Sequence, residues 1–100
     1  VAYEVIWAQS AVDDLLEAVE YIAKDSPSYA ATLASHASAA ANSLTTLPSR
    51  GHRVREYRDP NIRELIVGRS YRLIYRVTET SVVITSFVHV ARDLERLTNG

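Results

Sequence analysis

At 100 residues the chain can form one domain with a modest core and is too short for two. It has no cysteine, which excludes disulfides and thiolate metal sites, and no apolar run approaches a membrane span or follows a basic leader, so it reads as soluble and cytoplasmic. The formal net charge of −1 conceals a division between an acidic first half and an arginine-rich stretch after it.

Residues 3–8 alternate and contain aromatic and β-branched types, predicting a strand with Trp7 in the core. Ser10 offers an N-cap with Asp13 three positions on, predicting a helix over about 11–24. Val12, Leu15, Leu16, Val19 and Ile22 form its apolar stripe, and Asp13, Glu17, Glu20 and Lys24 form a solvated outer face. Ser26-Pro27 supplies a cap and first-turn proline for a second helix over about 27–46, with Tyr29, Leu33, Ala37, Ala40, Leu44 and Leu47 as its buried stripe. Its many alanines permit close approach to the first helix. Pro48 to Gly51 ends it.

After the turn at Asp59-Pro60-Asn61 the pattern changes to β. Strands are expected over 62–67, 71–77 and 82–88, with a tight turn at 68–70, and a short helix over 90–97. The order β-α-α-β-β-β describes an α+β domain: a helical hairpin packed on one face of a mainly antiparallel four-stranded sheet. The other face is then left free for function or a partner.

Residues 50–76 carry Arg50, Arg53, Arg55, Arg58, Arg63, Arg69, Arg72 and Arg76 against Glu56, Asp59 and Glu64. Arginine presents a planar fork that matches phosphate and carboxylate. Two readings fit the run: an anion-binding surface, or the arginine usage of an alanine-rich composition. By strand alternation Tyr71, Leu73, Tyr75 and Val77 share one face, and Arg72, Ile74 and Arg76 the other. Arginines on a covered face need partners. Either Glu64 or Glu56 supplies an ion pair, or the face is a phosphate or acidic-peptide site.

The segments Ile62-Arg63-Glu64-Leu65, Gly68, Tyr71-Arg72-Leu73-Ile74-Tyr75-Arg76-Val77 and Val88-His89, followed by Ala91-Arg92-Asp93-Leu94, together resemble the RelE/ParE toxins of type II toxin–antitoxin and plasmid stabilisation systems. Glu20-Tyr21-Ile22-Ala23 and the break at Asp25-Ser26-Pro27 fit the same pattern. The resemblance spans nearly the whole chain in order. It implies a helical hairpin on an antiparallel sheet with a concave working face, and a cognate antitoxin whose C-terminal segment wraps the toxin. Contact with operator DNA would run only through the antitoxin. The family contains growth inhibitors of two kinds: RelE-like members cut messenger RNA on the ribosome, and ParE-like members poison DNA gyrase.

A RelE-like reading implies metal-free cleavage without a cofactor. Such a reaction needs a base, a cation at the phosphate and an acid. The resemblance gives Arg72 the phosphate and His89 proton transfer, with Arg53, Arg55 and Arg63 as binding residues for the RNA backbone; Arg76, with Arg72, belongs to the face that an antitoxin would cover with acidic and apolar residues. The alternative for His89 is a strand-end histidine bonded to the protein itself. Against the nuclease reading, no tyrosine follows Tyr75, the second strand lacks lysines, and a net charge of −1 is a poor start for binding RNA. The ending His89-Val90-Ala91-Arg92-Asp93-Leu94 resembles ParE more closely, which implies inhibition of gyrase by binding, with Arg92 in the contact surface. A degenerate member that only binds its antitoxin is the third reading. His36, His52 and His89 show no metal-ligand spacing, and no glycine-rich phosphate loop is present.

Overall fold

The computed structural model describes residues 2–91. The helix expected over 90–97 and the candidate contact residue Arg92 therefore lie outside the described residues. In chain order the elements are β1 (Glu4–Trp7), α1 (Gln9–Ala23), α2 (Pro27–Ser43), β2 (His52–Arg53), β3 (Ile62–Val67), β4 (Tyr71–Val77) and β5 (Ser81–His89). They form a five-stranded sheet in the order β1-β5-β4-β3-β2. β1 runs parallel to β5, and the remaining pairs are antiparallel. The fold is the expected α+β arrangement. The fifth strand is the two-residue β2, which pairs His52 with Glu64 and Arg53 with Arg63 and is too short to show an alternating pattern in sequence.

The helices cover one face of the sheet. Leu73, Tyr75, Leu65, Val67, Val82, Ile84 and Phe87 meet Leu33, Ala37, Ala41 and Leu44 there. The α1 stripe sits differently from its apolar pattern. Ala11 and Ala18 are buried, Leu15 and Ile22 pack partly, and Leu16 is 54% exposed. Small side chains let α1 approach most closely along the alanine line, which turns Leu16 outward. Of the stripe expected for α2, Leu33, Ala37 and, at the C-cap, Leu44 are buried, but Tyr29 and, beyond the helix, Leu47 are exposed, and Ala30 and Ala41 take their share of the core. The helix ends at Ser43, shortly before the expected boundary. Ser26 does cap it, accepting from the Tyr29 N–H at 3.2 Å.

Ser10 does not cap α1. The N-cap is Ala8, which makes no side-chain cap bond. The reason lies in β5, which runs on past the end of β1 and exposes backbone groups along its edge. Edge groups left unpaired by the sheet take partners from whatever packs beside them. The Ser10 hydroxyl donates to Thr85 O at 2.9 Å, and the Asp14 carboxylate accepts from the Phe87 N–H at 3.0 Å. The first two turns of α1 thus continue the strand pairing that β1 leaves unfinished.

The second face is not bare. Ile74 and Val88 are buried beneath Val54, with Tyr57 and Ile62 packed against them. The β2–β3 connection folds across this face and makes a second, smaller core, so the sheet is less open than a hairpin-on-sheet pattern suggests.

One turn of chain is pinned between the two sides. The Gly51 N–H donates to the buried Tyr75 hydroxyl at 2.9 Å, and Arg63 donates to Gly51 O at 2.7 Å and to Ser49 O at 3.3 Å. A Cβ on Gly51 would stand 2.5 Å from the Tyr75 oxygen and 2.6 Å from Glu64 O. Two substitutions should expose this packing in urea titrations. Leu73→Ala, at a fully buried site, should cost about 2–5 kcal/mol. Gly51→Ala should destabilise by about 1–3 kcal/mol as an overpacked site, and Tyr75→Phe in the same background should relieve part of that loss.

Candidate functional site

Strand alternation assigns each candidate residue to a side of the sheet. On β4, Arg72, Ile74 and Arg76 face away from the helices, as expected. Their neighbours on that face are Ile66, Glu64 and Ile62 of β3. Arg76 is exposed, whereas Arg72 is only 6% exposed.

Arg72 is fully engaged. Its Nε donates to Glu64 Oε2 at 2.7 Å, and Nη2 makes a second contact with the same oxygen. Nη1 donates to Glu56 Oε2 at 3.0 Å and Nη2 to Glu56 Oε1 at 3.3 Å. Both carboxylates named in the ion-pair reading are therefore present. Burial alone would pull the guanidinium pKa down, but the hydrogen bonds that Arg72 donates to Glu56 and Glu64, with the charges of both carboxylates, outweigh it and the net displacement is upward. The hydrogen bond from Arg72 holds the Glu56 carboxyl below its ordinary value against the opposing effect of burial. One guanidinium and two carboxylates leave the cluster with a net negative charge, which is poor ground for a phosphate.

Around this cluster lies an open groove of about 770 Å³, lined by His52, Arg53, Arg55, Glu56, Glu64, Ile66, Arg72 and Val90. Arg53 and Arg55 are exposed at its rim, and Arg53 also donates to Arg58 O at 3.3 Å. Ile66 is 53% exposed. His52, Ile66 and Val90 were not evident from the sequence as parts of one site. His52 looks like a loop residue until β2 is seen to pair it with Glu64.

Two expected members are elsewhere. Arg63 stands opposite Tyr75, on the helix side, where it holds the carbonyls of the 49–51 turn. His89 stands opposite Tyr71 and makes an edge-on ring contact with it, at 5.3 Å between centroids. Its Nδ1 accepts from the Ala91 N–H at 3.2 Å. Tyr71 in turn stacks on Phe87 at 5.0 Å. Arg72 and His89 therefore project from opposite faces, and the structure does not bring them to one phosphate-sized site. The cause is a bulge in β5. Ile74 pairs with Ser86 but Tyr75 with Ile84, so Thr85 is the extra residue and alternation shifts by one beyond it. Among the described residues no three His, Asp or Glu side chains converge in a metal-binding arrangement, and no helix is long and apolar enough to cross a membrane.

The structure superimposes on a chain of the chromosomal ParDE toxin–antitoxin system of P. aeruginosa with a TM-score of 0.71 at 20% identity, covering 89% of this chain and 97% of that one. It also matches a chain of the E. coli DinJ-YafQ toxin–antitoxin complex (TM-score 0.66, 15% identity, 91% and 96% covered). A third match is to a chain of the RelBE2 complex of Mycobacterium tuberculosis (TM-score 0.58, 28% identity, 89% and 99% covered). In sequence it is 34% identical over 89 residues to the Toxin RelE2 of Caulobacter vibrioides, covering 89% of this chain and 97% of that protein. Residues 5–94 match the family model of the ParE toxin of the type II toxin–antitoxin system parDE. The chain belongs to this ParE toxin family, within the wider RelE/ParE group.

The Glu56 carboxyl gives the clamp a pH signature. Its folded pKa lies below the unfolded value, so its stabilising contribution is complete above about pH 4.5 and is lost as pH falls through the depressed folded value. The urea midpoint should fall as pH drops below about 4.5, and Glu56→Gln should flatten that part of the profile. An unchanged profile would remove Glu56 from the acid response.

Proposed function

We propose that this protein is the toxin of a type II toxin–antitoxin pair that arrests growth in the ParE manner, by binding DNA gyrase, and that a cognate antitoxin neutralises it in the cytoplasm. The observation that carries this reading is the separation of Arg72 from His89. Acid–base cleavage of RNA needs a proton-transfer group and a phosphate-holding cation on the same substrate. Here the two project from opposite faces, and the cation is already bound to Glu56 and Glu64. Inhibition by binding makes no such demand. The match of residues 5–94 to the ParE model supports the same branch.

The partner reading draws on the structural relatives, two of them toxin–antitoxin complexes and the third from a ParDE toxin–antitoxin system. An antitoxin segment with acidic and apolar side chains suits the groove's exposed Arg53, Arg55 and Ile66. Operator DNA would be reached through the antitoxin and not by the toxin itself. One observation favours the other branch: the 34% identical relative carries the name RelE2. On that reading Arg72 and His89 would serve cleavage of messenger RNA on the ribosome.

The two readings part in one pair of assays. Purified protein added to gyrase and supercoiled plasmid should trap double-strand breaks, and translating ribosomes given the same protein should keep their transcripts whole. His89→Gln should arrest growth as the wild type does. Ribosome-dependent cleavage by the wild type, reduced by a factor on the order of 10²–10⁴ in His89→Gln, would reverse the assignment.

A further inference from the structure

The two carboxylates on Arg72 differ in how they are held. Glu64 belongs to β3, which is paired with β4 on one side and with β2 on the other. Glu56 belongs to the β2–β3 connection, whose neighbouring turn is closed by the Tyr57 N–H to Val54 O bond. Glu56 nevertheless makes the two-point contact, one oxygen on each terminal nitrogen of Arg72, at 3.0 and 3.3 Å. That is the geometry in which a guanidinium receives an incoming carboxylate. The groove beside it has Arg53 and Arg55 at the rim and the exposed apolar side chain of Ile66 next to the cluster.

We propose that Glu56 is an internal, displaceable ligand of Arg72, and that the groove takes an extended acidic–apolar peptide of a protein partner by exchanging the Glu56 carboxylate for one of its own. The exchange keeps a buried cation paired throughout, which removes the main obstacle to a ligand's entry at such a site. An apolar side chain one or two positions along the peptide covers Ile66, and the released Glu56 moves into solvent. A peptide fits better than a nucleic acid. One carboxylate satisfies one fork, whereas nucleic-acid binding draws on many phosphate contacts, and Glu64 stays in the groove to repel them. The inference rests on the toxin reading only for the partner being a protein, and it is independent of the cellular target.

The test uses the full chain and three fluorescent probes: a short synthetic peptide alternating leucine and glutamate, its glutamine counterpart, and a single-stranded RNA oligonucleotide. Binding is followed by anisotropy for the wild type and Glu56→Gln. Removing the internal competitor should tighten the glutamate peptide by about tenfold, roughly one charge-assisted hydrogen bond regained, and leave the glutamine peptide unchanged. In the wild type, saturation with the glutamate peptide should speed hydrogen exchange at the Tyr57 amide and leave Leu73 protected. Equal or weaker peptide binding by a folded Glu56→Gln overturns the proposal, as does failure of both proteins to bind the glutamate peptide. A gain for RNA in place of the peptide overturns the choice of ligand. Should Glu56→Gln not fold, the wild-type exchange decides alone: unchanged or slower exchange at Tyr57 refutes displacement. Gyrase trapping tests the toxin reading separately, so loss of either result leaves the other interpretable.

Discussion

Three segments of the chain meet at one guanidinium. Arg72 belongs to β4, Glu64 to β3 and Glu56 to the connection before β3. The second core depends on this junction. Val54 and Tyr57 of the connection pack on Ile74 and Val88, and the Glu56–Arg72 ion pair ties the same connection to β4. Buried ion pairs often contribute little net stability because desolvation opposes them. Their effect here is geometric: a guanidinium fork admits its two carboxylates in few arrangements, and that choice fixes where the connection lies and where the groove opens.

The β5 bulge has consequences of the same reach. Plain alternation from Val82 through Ile84 would carry Ser86 and Val88 into the helix-side core and turn Phe87 and His89 the other way. The extra residue at Thr85 reverses this. Phe87 enters the main core, Val88 joins the second one, and His89 comes to lie against Tyr71. A bulge of this kind leaves almost no mark in sequence, since Thr85 and Ser86 are acceptable on either face. The boundaries of the four expected strands were legible to within a residue. The face of a single histidine, on which a catalytic reading turns, was not.

The helices show the same division between what pattern conveys and what packing decides. Ser26-Pro27 announced a helix start because capping is local chemistry, and the cap bond is present. Ser10 offered the same local signal, but a tertiary partner won its hydroxyl, the backbone of β5 some 75 residues away. The apolar stripe of α1 was misplaced by ranking Leu16 above Ala11 and Ala18. Hydrophobicity identifies which residues favour burial, but helix approach distance is set by the smallest side chains, and alanine lines prevail where two helices and a sheet converge. Two-residue β2 carries no periodicity at all, so the pairing of His52 with Glu64, and with it one wall of the groove, could come only from the fold.

The arginine run shows why composition alone left two readings open. It is divided by the sheet and by its own hydrogen bonds. Arg50 donates to the Ser43 hydroxyl, Arg63 holds two carbonyls of the 49–51 turn, and Arg72 is enclosed by carboxylates. These three serve the architecture. Arg53, Arg55 and Arg76 remain exposed on or beside the second face. A surface with a few exposed guanidinium groups, one apolar side chain and a cation already paired is suited to selecting a shaped, sparsely charged partner. It is less suited to gathering the dense phosphates of RNA. Arginine serves both purposes in one short segment because its fork binds a backbone carbonyl, an internal carboxylate or a partner's carboxylate with the same geometry. What separates Arg72 from the exposed Arg53, Arg55 and Arg76 is its burial between two carboxylates.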